Sequence, residues 1–424
     1  MVSEDLPGAQ VGGLGKHVVT LANALLGLGH DVAILGRNDV GRIDGVVEDC
    51  AAQIGFKGRF IPAFDWRRPG WKEAQLGVFN PLKRPWFARK IARAIDDHAA
   101  GFDVVHYHGH LPMVGLHVDS AINFVQTRHD QGSECLTHLR FRADAVCSTV
   151  APRDCSACIC ADADVLRKSV TAFTVNRYRS QSAEVFAARK TIFVSEFLRR
   201  QFLRAVPGAD LSRSQVLHNF IAADVLVREA ACAAGVDAGR ILLVGRVDTG
   251  KGFDQFLAEA APRLPPGVSI AIVGDGPQRV RLQRQHAGAQ VRFFGWQDYA
   301  ATIRLAARSH LCVVPSVCEE ACSTTVLEAL ALGKHCVALA RGGTPELLRY
   351  QRFDGQLRLA QTMVELVDIA LALAVLAPPP DPQQGNLASG AGVDAGFGAR
   401  SGAVFGADAA LVLPKLLELY AEPA

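Results

Sequence analysis

The chain has 424 residues and 49% of them are apolar, which is enough for two hydrophobic cores, so we expect two domains. Its net charge of +3 is too small to indicate a general nucleic-acid-binding protein. The longest apolar run near the C-terminus, residues 366–377, is shorter than the ~20 residues that a membrane-spanning helix needs. The sequence begins without a charged and then apolar leader, so we expect its eleven cysteines to be reduced thiols in a cytosol rather than disulfides.

The first informative pattern is a glycine-rich loop, Gly-Gly-Leu-Gly, at residues 12–15. It opens a stretch with apolar residues at helical spacing, and a predicted strand follows at residues 31–35. Glycines let a backbone approach a ligand closely and a helix start favours anions, so Gly13 and Gly15 are candidate phosphate-binding positions. The loop lacks the G-x-G-x-x-G pattern of dinucleotide-binding proteins, and the alternative is a structural turn into the helix.

Two later strands in this half of the chain end in polar residues. Residues 102–105 lead into a His-Tyr-His-Gly sequence, and residues 121–127 lead into Arg128, His129 and Asp130. A histidine at the carboxyl end of a strand can donate a hydrogen bond to a phosphate or sugar oxygen. His129 is therefore a candidate catalytic residue, and a purely structural histidine is the alternative.

Two basic and aromatic segments, residues 66–71 and 83–86, lie between the predicted strand at residues 31–35 and the one that begins at residue 102. Amphipathic side chains of this kind are typical of membrane interfaces. The segments indicate either a peripheral contact with a membrane surface, an edge that binds an acceptor, or an exposed loop.

A cysteine-rich insertion follows at residues 135–160. Cys155 and Cys158 form a C-x-x-C pair, and Cys135 and Cys147 precede it, so four thiolates could close a tetrahedral structural zinc site. The spacing is irregular and Cys160 is left over. Unligated reduced thiols and a redox role are the alternatives, and a catalytic zinc is not expected.

The second half begins with a predicted strand at residues 241–244 and the sequence G-R-V-D-T-G-K-G. This is almost a phosphate-binding P-loop, but Gly252 stands where a serine or threonine would bind magnesium, which argues against an NTPase. A further strand, residues 269–273, ends at Gly274 in a Gly-Asp-Gly-Pro turn, and residues 291–295 are predicted as the next strand. We expect the alanine-rich segment that ends at Gly239 to be a linker, residues 357–377 to form one apolar helix, and the Pro-, Gly- and Ala-rich residues 378–406 to form a mobile loop or linker.

The most informative stretch is residues 311–347, which reads as strand, loop, helix, strand, loop and helix. Glu320 lies in the first loop, and Glu328 lies inside the helix that Ser323 or Thr324 begins. The free backbone N–H groups between the two glutamates suit a phosphate. One carboxylate on each side of a phosphate site suits a sugar nucleotide, with a sugar at one end and a ribose at the other.

This stretch resembles the E-x7-E signature of retaining family 4 glycosyltransferases of the GT-B fold. The P-S-x-x-E-E start, the L-E-A-L-A-x-G continuation and the G-G-T-P-E-L sequel match in order, as do the GG-x-G loop, the T-x-H-D step, the G-R-x4-K-G segment and the G-D-G-P turn. The resemblance implies that Glu320 and His129 lie at the donor sugar and that no cofactor is required for catalysis. It implies donor-binding roles for Gly13, Gly15, Arg246, Lys251, Gly274, Thr324, Thr325 and Glu328.

The fold that the resemblance implies is α/β, with two Rossmann-like, doubly wound parallel-sheet domains facing across a cleft. We expect an acceptor-side domain over residues 1–221, a nucleotide-sugar domain over 222–400, and a C-terminal helix within 401–424 that packs on the first domain. The expected reaction is hexosyl transfer from a nucleotide sugar to a saccharide or lipid-linked glycan, as in polysaccharide or lipopolysaccharide synthesis in a bacterial cytoplasm or at the inner face of its membrane. The alternatives are a nucleotide-sugar epimerase of the same fold and a degenerate, non-catalytic glycan-binding module.

Overall fold

A computed structural model of the chain describes residues 1–6, 12–38, 55–64, 84–158, 164–233, 235–376 and 405–422. Contacts divide it into two units. Unit 1 comprises Met1–Asn219 together with Val412–Ala424, and unit 2 comprises Phe220–Leu411. Across the described residues, no helix has both the length and the apolar character that crossing a bilayer requires.

Unit 1 is built on a parallel sheet whose seven described strands lie in the order β3-β2-β1-β4-β5-β8-β9. The strands are β1 (Val2–Ser3), β2 (Ala33–Arg37), β3 (Arg59–Phe64), β4 (Val105–His108), β5 (Phe124–Arg128), β8 (Lys190–Phe193) and β9 (Ser214–Val216), with a separate hairpin of β6 (Phe141–Arg142) and β7 (Ala145–Val146). The helices are α1 (Gly13–Gly27), α2 (Arg84–His98), α3 (Val165–Ala188) and α4 (Glu196–Ala205). The strand order reverses between β1 and β4, which is where ligands bind in open α/β sheets.

Unit 2 repeats this plan with six described parallel strands in the order β12-β11-β10-β13-β14-β15. The strands are β10 (Asp237–Val244), β11 (Ser269–Val273), β12 (Val291–Gly295), β13 (Ser309–Val314), β14 (His335–Leu339) and β15 (Leu357–Ala360). The helices are α5 (Ala223–Ala231), α6 (Phe253–Ala260), α7 (Arg279–His286), α8 (Tyr299–Arg308), α9 (Thr324–Ala331) and α10 (Met363–Ala374). All six residues of β13 are buried, as expected of a strand covered by helices on both faces. Here the order reverses between β10 and β13.

The last helix, α11 (Ala409–Ala421), crosses the boundary between the units, and its final turn is anchored in unit 1. The hydroxyl of Tyr420 lies 2.6 Å from Nδ1 of His106, and the Asn123 amide donates to the Tyr420 carbonyl. The buried ammonium of Lys190 donates to the Leu419 carbonyl oxygen at 3.1 Å. The ammonium group thus satisfies carbonyl oxygens at the helix C-terminus, where the helix dipole is negative and favours a cation.

Two sequence predictions about secondary structure are wrong. Residues 357–377 are predicted to form one apolar helix, but strand β15 and helix α10 share them, because Leu357–Ala360 pairs with the edge of β14 and Thr362 caps the helix that follows. The helix predicted after Gly343 is present as a short 3-10 helix, Thr344–Tyr350. The alanine-rich segment expected as a linker contains α5, which buries Leu226. The expected linker at residues 378–406 falls mostly outside the described residues.

Candidate active site

The loops that follow β10 and β13 are joined directly at the switch point of unit 2. The carbonyl oxygen of Gly250 accepts hydrogen bonds from the backbone N–H groups of Val317 and Cys318, both at 3.0 Å. Gly252 has φ +68°, and a Cβ atom there would lie 2.2 Å from the carbonyl oxygen of Pro315. Only glycine allows this approach. The two loops are therefore held in register, and so are the side chains they carry.

The central feature of the site is an ion pair between Lys251 of the first loop and Glu320 of the second. The Lys251 ammonium lies 2.7 Å from Oε1 of Glu320, and the Glu320 side chain is only 12% exposed. Burial alone would raise the pKa of Glu320, but Lys251 and hydrogen bonds from Ser316 and Ser323 lower it below its usual value. The same pairing outweighs burial and raises the pKa of Lys251. Both groups are therefore charged at neutral pH.

Helix α9 begins beside this pair and is not capped by a side chain. Ser323 occupies the N-cap position but makes no capping hydrogen bond, and its hydroxyl bonds to Glu320 instead. The first backbone N–H groups of the helix, at Thr324 and Thr325, are therefore left for a ligand. A helix start of this kind beside a lysine ammonium is a suitable site for an anionic phosphate.

Glu328 lies one turn further along α9 and is held by Tyr299, the first residue of α8. The tyrosine hydroxyl donates a hydrogen bond to the Glu328 carboxylate, and burial together with this carboxylate raises the pKa of Tyr299. The carboxylate is thus oriented by a neutral hydroxyl group. A carboxylate in this state can accept hydrogen bonds from the two hydroxyls of a ribose.

The remaining predicted donor-binding residues of unit 2 lie on neighbouring loops. Gly274, with φ +137°, follows β11, and a Cβ atom there would lie 1.9 Å from the carbonyl oxygen of Gly245. Arg246, the residue after Gly245, has a side chain that is 72% exposed, and its guanidinium lies 3.4 Å from the carboxylate of Asp248. A side chain so exposed contributes little to stability, but it can turn towards a bound anion.

The predicted residues of unit 1 lie at its own switch point. Gly13 is the first residue of α1, where a Cβ atom would meet open space, and Gly15 is buried within the first turn. His129 follows β5, and its Nε2 lies 3.0 Å from Nδ1 of His108, the last residue of β4. The ring of His17, from α1, packs against that of His129 in a T-shaped arrangement with 4.8 Å between the ring centroids. The sequence prediction included His129 but omitted the two histidines beside it.

The four cysteines of the insertion that the structure describes are half-buried and not bridged by disulfides. Burial, reinforced by the thiols of Cys135, Cys147 and Cys158, raises the pKa of Cys155 to about 11. In the part of the chain that the structure describes, three metal-binding atoms come within 4.8 Å of one another only in histidine-containing groups, so the thiols are not gathered into such a group. Cys160 and the basic segment at residues 66–71 lie outside the described residues.

Sequence reasoning missed Ser316, Tyr299, His17 and His108 as parts of these sites. Ser316 follows the Leu-Cys-Val-Val-Pro run, and its hydroxyl, four residues before Glu320, could have indicated a partner for that carboxylate. His108 lies in the His-x-His sequence within β4, and the alternation of a strand places both histidines on one face. Tyr299 gave no such signal, because its partner Glu328 is distant in sequence.

Comparisons with known proteins identify the family of the chain and its fold. The family described as Glycosyltransferase Family 4 matches residues 11–225, and the family described as Glycosyl transferases group 1 matches residues 238–374. A 2-deoxystreptamine N-acetyl-D-glucosaminyltransferase from Streptomyces fradiae is 36% identical over 132 residues, which span 27% of this chain and 31% of that enzyme. A glycogen synthase from Mycobacterium tuberculosis is 26% identical over 364 residues, 82% of this chain and 78% of that enzyme. The solved structure of Anabaena HepE in complex with UDP-glucose superimposes with a TM-score of 0.54 at 17% identity, covering 88% of each chain, which shows a shared fold.

Proposed function

Because the chain belongs to glycosyltransferase family 4 and has the GT-B fold, we propose that it transfers a sugar, with retention of configuration, from a nucleotide-sugar donor to a saccharide or lipid-linked glycan. The observation that carries this proposal is the Lys251–Glu320 ion pair beside the uncapped start of α9. The ammonium group and the free N–H groups suit a diphosphate, and the carboxylate beside them suits the hydroxyls of a sugar. Together they match a nucleotide sugar, in which a diphosphate is joined to a sugar. Anabaena HepE, which shares the fold, binds UDP-glucose.

In this proposal unit 2 binds the donor. The diphosphate accepts hydrogen bonds from the amides of Thr324 and Thr325, and the Glu328 carboxylate accepts hydrogen bonds from the ribose hydroxyls. As the bond from the sugar to the diphosphate breaks, negative charge builds on the leaving nucleotide. Lys251 and Arg246 offset this charge, which is the part that a metal ion performs in other transferases.

Glu320 is assigned to the donor sugar. Its carboxylate is held by Lys251 and two serine hydroxyls, so it is fixed before the donor arrives. A preorganised carboxylate can stabilise the positive charge that develops on the sugar ring as the leaving group departs. His129 of unit 1 is assigned to a sugar oxygen, and unit 1 to the acceptor. A lipid-linked acceptor would place the reaction at the cytoplasmic face of a membrane.

Thermal unfolding with uridine, guanosine and adenosine diphosphates and their sugars tests the donor assignment. A ligand at about 100 times its dissociation constant adds about 2.7 kcal/mol to the state that binds it. We expect a rise in the unfolding temperature with one base and its loss in Glu328→Ala. The matched control is Glu259→Ala, which removes a half-exposed glutamate of the same unit and should leave the rise intact. No rise with any nucleotide would contradict the assignment and favour a degenerate binding module.

Turnover distinguishes the remaining alternatives. Glu320→Gln should lower kcat much more than it lowers donor affinity, because the side chain is assigned to the transition state rather than to the nucleotide. Transfer by this variant at the wild-type rate would disprove the assignment. An isomerised nucleotide sugar released without an acceptor would identify an epimerase instead. The anomeric configuration of the product, read by nuclear magnetic resonance, tests retention.

A further inference from the structure

The first half of helix α3 carries apolar side chains on two faces, and only one of these faces is covered. The residues that pack on the body of unit 1 recur at helical spacing and are buried: Thr171, Val175 and Tyr178. Leu166, Val170 and Phe173 recur at the same spacing on the other side of the helix. Of these, Leu166 is 73% exposed and Phe173 is 67% exposed. A helix with apolar side chains on every face is normally buried, so the exposed row calls for a partner.

This half of α3 also projects beyond the neighbouring helix α2. Both helices connect parallel strands, so they run in the same direction, and the short helix Pro112–Leu116 packs against both. The guanidinium of Arg84, the first residue of α2, lies 4.4 Å from the ring centre of Tyr178 and donates to the Leu136 carbonyl at 2.6 Å. At ~1.5 Å per residue, α3 begins about 20 Å before this point. The exposed row therefore lies at the edge of the sheet where β4 and β5 end.

The exposed charges on this half of α3 are positive. From Val165 to Ala183 the sequence contains no acidic residue, while Arg167, Lys168 and Arg177 are exposed. Arg167 and Lys168 lie in the first turn, where the helix dipole disfavours cations. Arg177 continues the apolar row, four residues after Phe173. Cations at these positions do not stabilise the helix itself, so they indicate an anionic partner.

The outward face of α2 has the same character. Trp86 is 60% exposed, and the ammonium of Lys90 lies 5.7 Å from the centre of its ring. Arg89 and Arg93 are exposed, and the first acidic residue of the helix is Asp96. Tryptophan, with an apolar ring and one N–H group, is typical of membrane interfaces. Of the alternatives predicted for the segment at residues 83–86, this pattern favours a contact with a membrane.

A basic helix of unit 2 shows how the positive charges on α3 differ from ordinary surface charges. In α7, Arg279 lies 2.9 Å from the carboxylate of Asp275, and Arg281 lies 3.9 Å from that of Asp254. Lys168 and the arginine at the end of the exposed row of α3 form no ion pair with any described residue. The charges of α7 are thus compensated within the chain, and those of α3 are not.

We propose that unit 1 docks through these two helix faces onto a phospholipid membrane with anionic headgroups. The docking surface consists of Trp86, Arg89, Lys90 and Arg93 of α2 and Leu166, Lys168, Val170, Phe173 and Arg177 of α3. Its apolar side chains enter the boundary between headgroups and acyl chains, and its cations contact the lipid phosphates. A second copy of the chain is a poorer partner, because it brings the same cations against these. The choice of a lipid partner rests on the proposed transfer to a lipid-linked glycan.

Sedimentation of the full chain with lipid vesicles, in the absence of nucleotide and acceptor, tests the docking surface. Vesicles of phosphatidylcholine alone are compared with vesicles of phosphatidylcholine mixed with anionic phosphatidylglycerol. We expect binding to the mixed vesicles that weakens as the salt concentration rises, and much weaker binding to phosphatidylcholine alone. Both effects follow because salt screens the cations and because phosphatidylcholine carries no net charge for them to contact.

Charge reversal tests the cations of the docking surface. Lys168→Glu combined with Arg177→Glu should weaken binding to the mixed vesicles at least about 25-fold, because each basic side chain near an anionic surface contributes roughly fivefold. The matched control is Lys57→Glu combined with Lys415→Glu, which makes the same change in net charge at exposed positions of unit 1 outside the docking surface. Equal losses in the two proteins would show that only net charge matters and would overturn the proposal.

A second double variant tests the apolar row. Leu166→Ser combined with Phe173→Ser should weaken vesicle binding by about tenfold or more, because both side chains lose the burial that the membrane provides. The matched control, Val280→Ser combined with Val364→Ser, changes two half-exposed apolar residues of unit 2 and should leave binding unchanged. All four positions are at the surface, and a cooperative thermal transition at the wild-type temperature verifies that each variant is folded.

The proposal is overturned if the wild-type chain does not bind the mixed vesicles, if phosphatidylcholine alone binds it equally well, or if the folded Leu166→Ser, Phe173→Ser protein binds as the wild type does. It is also overturned if light scattering shows a wild-type dimer that this variant converts to a monomer, since the surface then joins two copies. A nucleotide-induced rise in unfolding temperature without vesicle binding rejects the docking surface and retains the donor site. Vesicle binding without such a rise does the reverse.

Discussion

The ion pair between Lys251 and Glu320 allows a quantitative test of how unit 2 is held together. Lys251→Met keeps the length of the side chain but leaves the Glu320 carboxylate, 12% exposed, without its cation. Breaking a buried pair costs about 3–5 kcal/mol and breaking an exposed one about 0–1 kcal/mol. Because Lys251 is 32% exposed, we expect a loss of about 2 kcal/mol. For a unit of this size that loss lowers the unfolding temperature by about 4–8 °C.

The pH dependence of this loss follows from the pKa of Glu320. In the folded wild type the pKa of Glu320 is lowered. The ion pair therefore contributes its full stability at pH values above the ordinary pKa of a glutamate, and this contribution is lost as the pH falls through the pKa of the folded state. Without Lys251 burial dominates and raises the pKa, so the variant is penalised at high pH and relieved as the carboxylate takes up a proton. The difference in unfolding free energy between the two proteins should therefore be larger at pH 8 than at pH 5. Chemical denaturation at both values measures it.

Two further variants make the test specific. Adding Glu320→Gln to Lys251→Met should recover most of the lost stability, because it removes the unpaired charge. Arg263→Met is the matched control, since it breaks the exposed ion pairs of Arg263 with Glu259 and Asp368 in the same unit, and it should cost much less than Lys251→Met. A Lys251→Met protein as stable as the Arg263→Met protein, or one that the second substitution does not rescue, would refute the reasoning.

Two other substitutions probe the positioning of the site. Tyr299→Phe removes the hydrogen bond to the Glu328 carboxylate. It should therefore weaken nucleotide binding by about tenfold and raise KM, while kcat stays unchanged. An unchanged KM would show that Tyr299 is not part of the site. Gly274→Ala places a Cβ atom 1.9 Å from the Gly245 carbonyl oxygen at φ +137°, so it should cost about 1–3 kcal/mol or more in chemical denaturation. Gly288→Ala, where a Cβ atom meets nothing within 4 Å, should be nearly neutral by comparison, and equal effects of the two alanines would contradict the close approach.

The sequence predicted the fold, and it predicted which loops of unit 2 carry the candidate site residues, because both depend on local patterns. The buried run before Pro315, the helix after Ser323 and the glycines of the loops each have a physical meaning within a few residues. Partners that are distant in sequence could not be predicted in this way. Lys251 and Glu320 were each named as site residues, but their pairing depends on the order of the strands in the sheet, which places β10 beside β13.

The strand β15 shows why the end of unit 2 was misinterpreted. Residues 357–360 are as apolar as the helix that follows, and periodicity over so short a run does not separate a buried strand from a buried helix. The strand forms because β14 presents an unpaired edge at that point, and Cys336–Leu339 supplies its hydrogen-bonding partners. An edge of this kind is a property of the assembled sheet and leaves no mark on the local sequence.

The two switch points have the same topology but opposite electrostatic character. In unit 2 the loops carry charged groups, Lys251 and Glu320, in a network that can exchange one anionic partner for another. In unit 1 burial keeps His17, His108 and His129 neutral at pH 7, so they cannot offset the charge of a diphosphate. Neutral imidazoles instead suit hydroxyl groups, with which they exchange hydrogen bonds without needing a compensating charge. We therefore expect the donor phosphates to bind in unit 2 and uncharged hydroxyl groups to bind in unit 1.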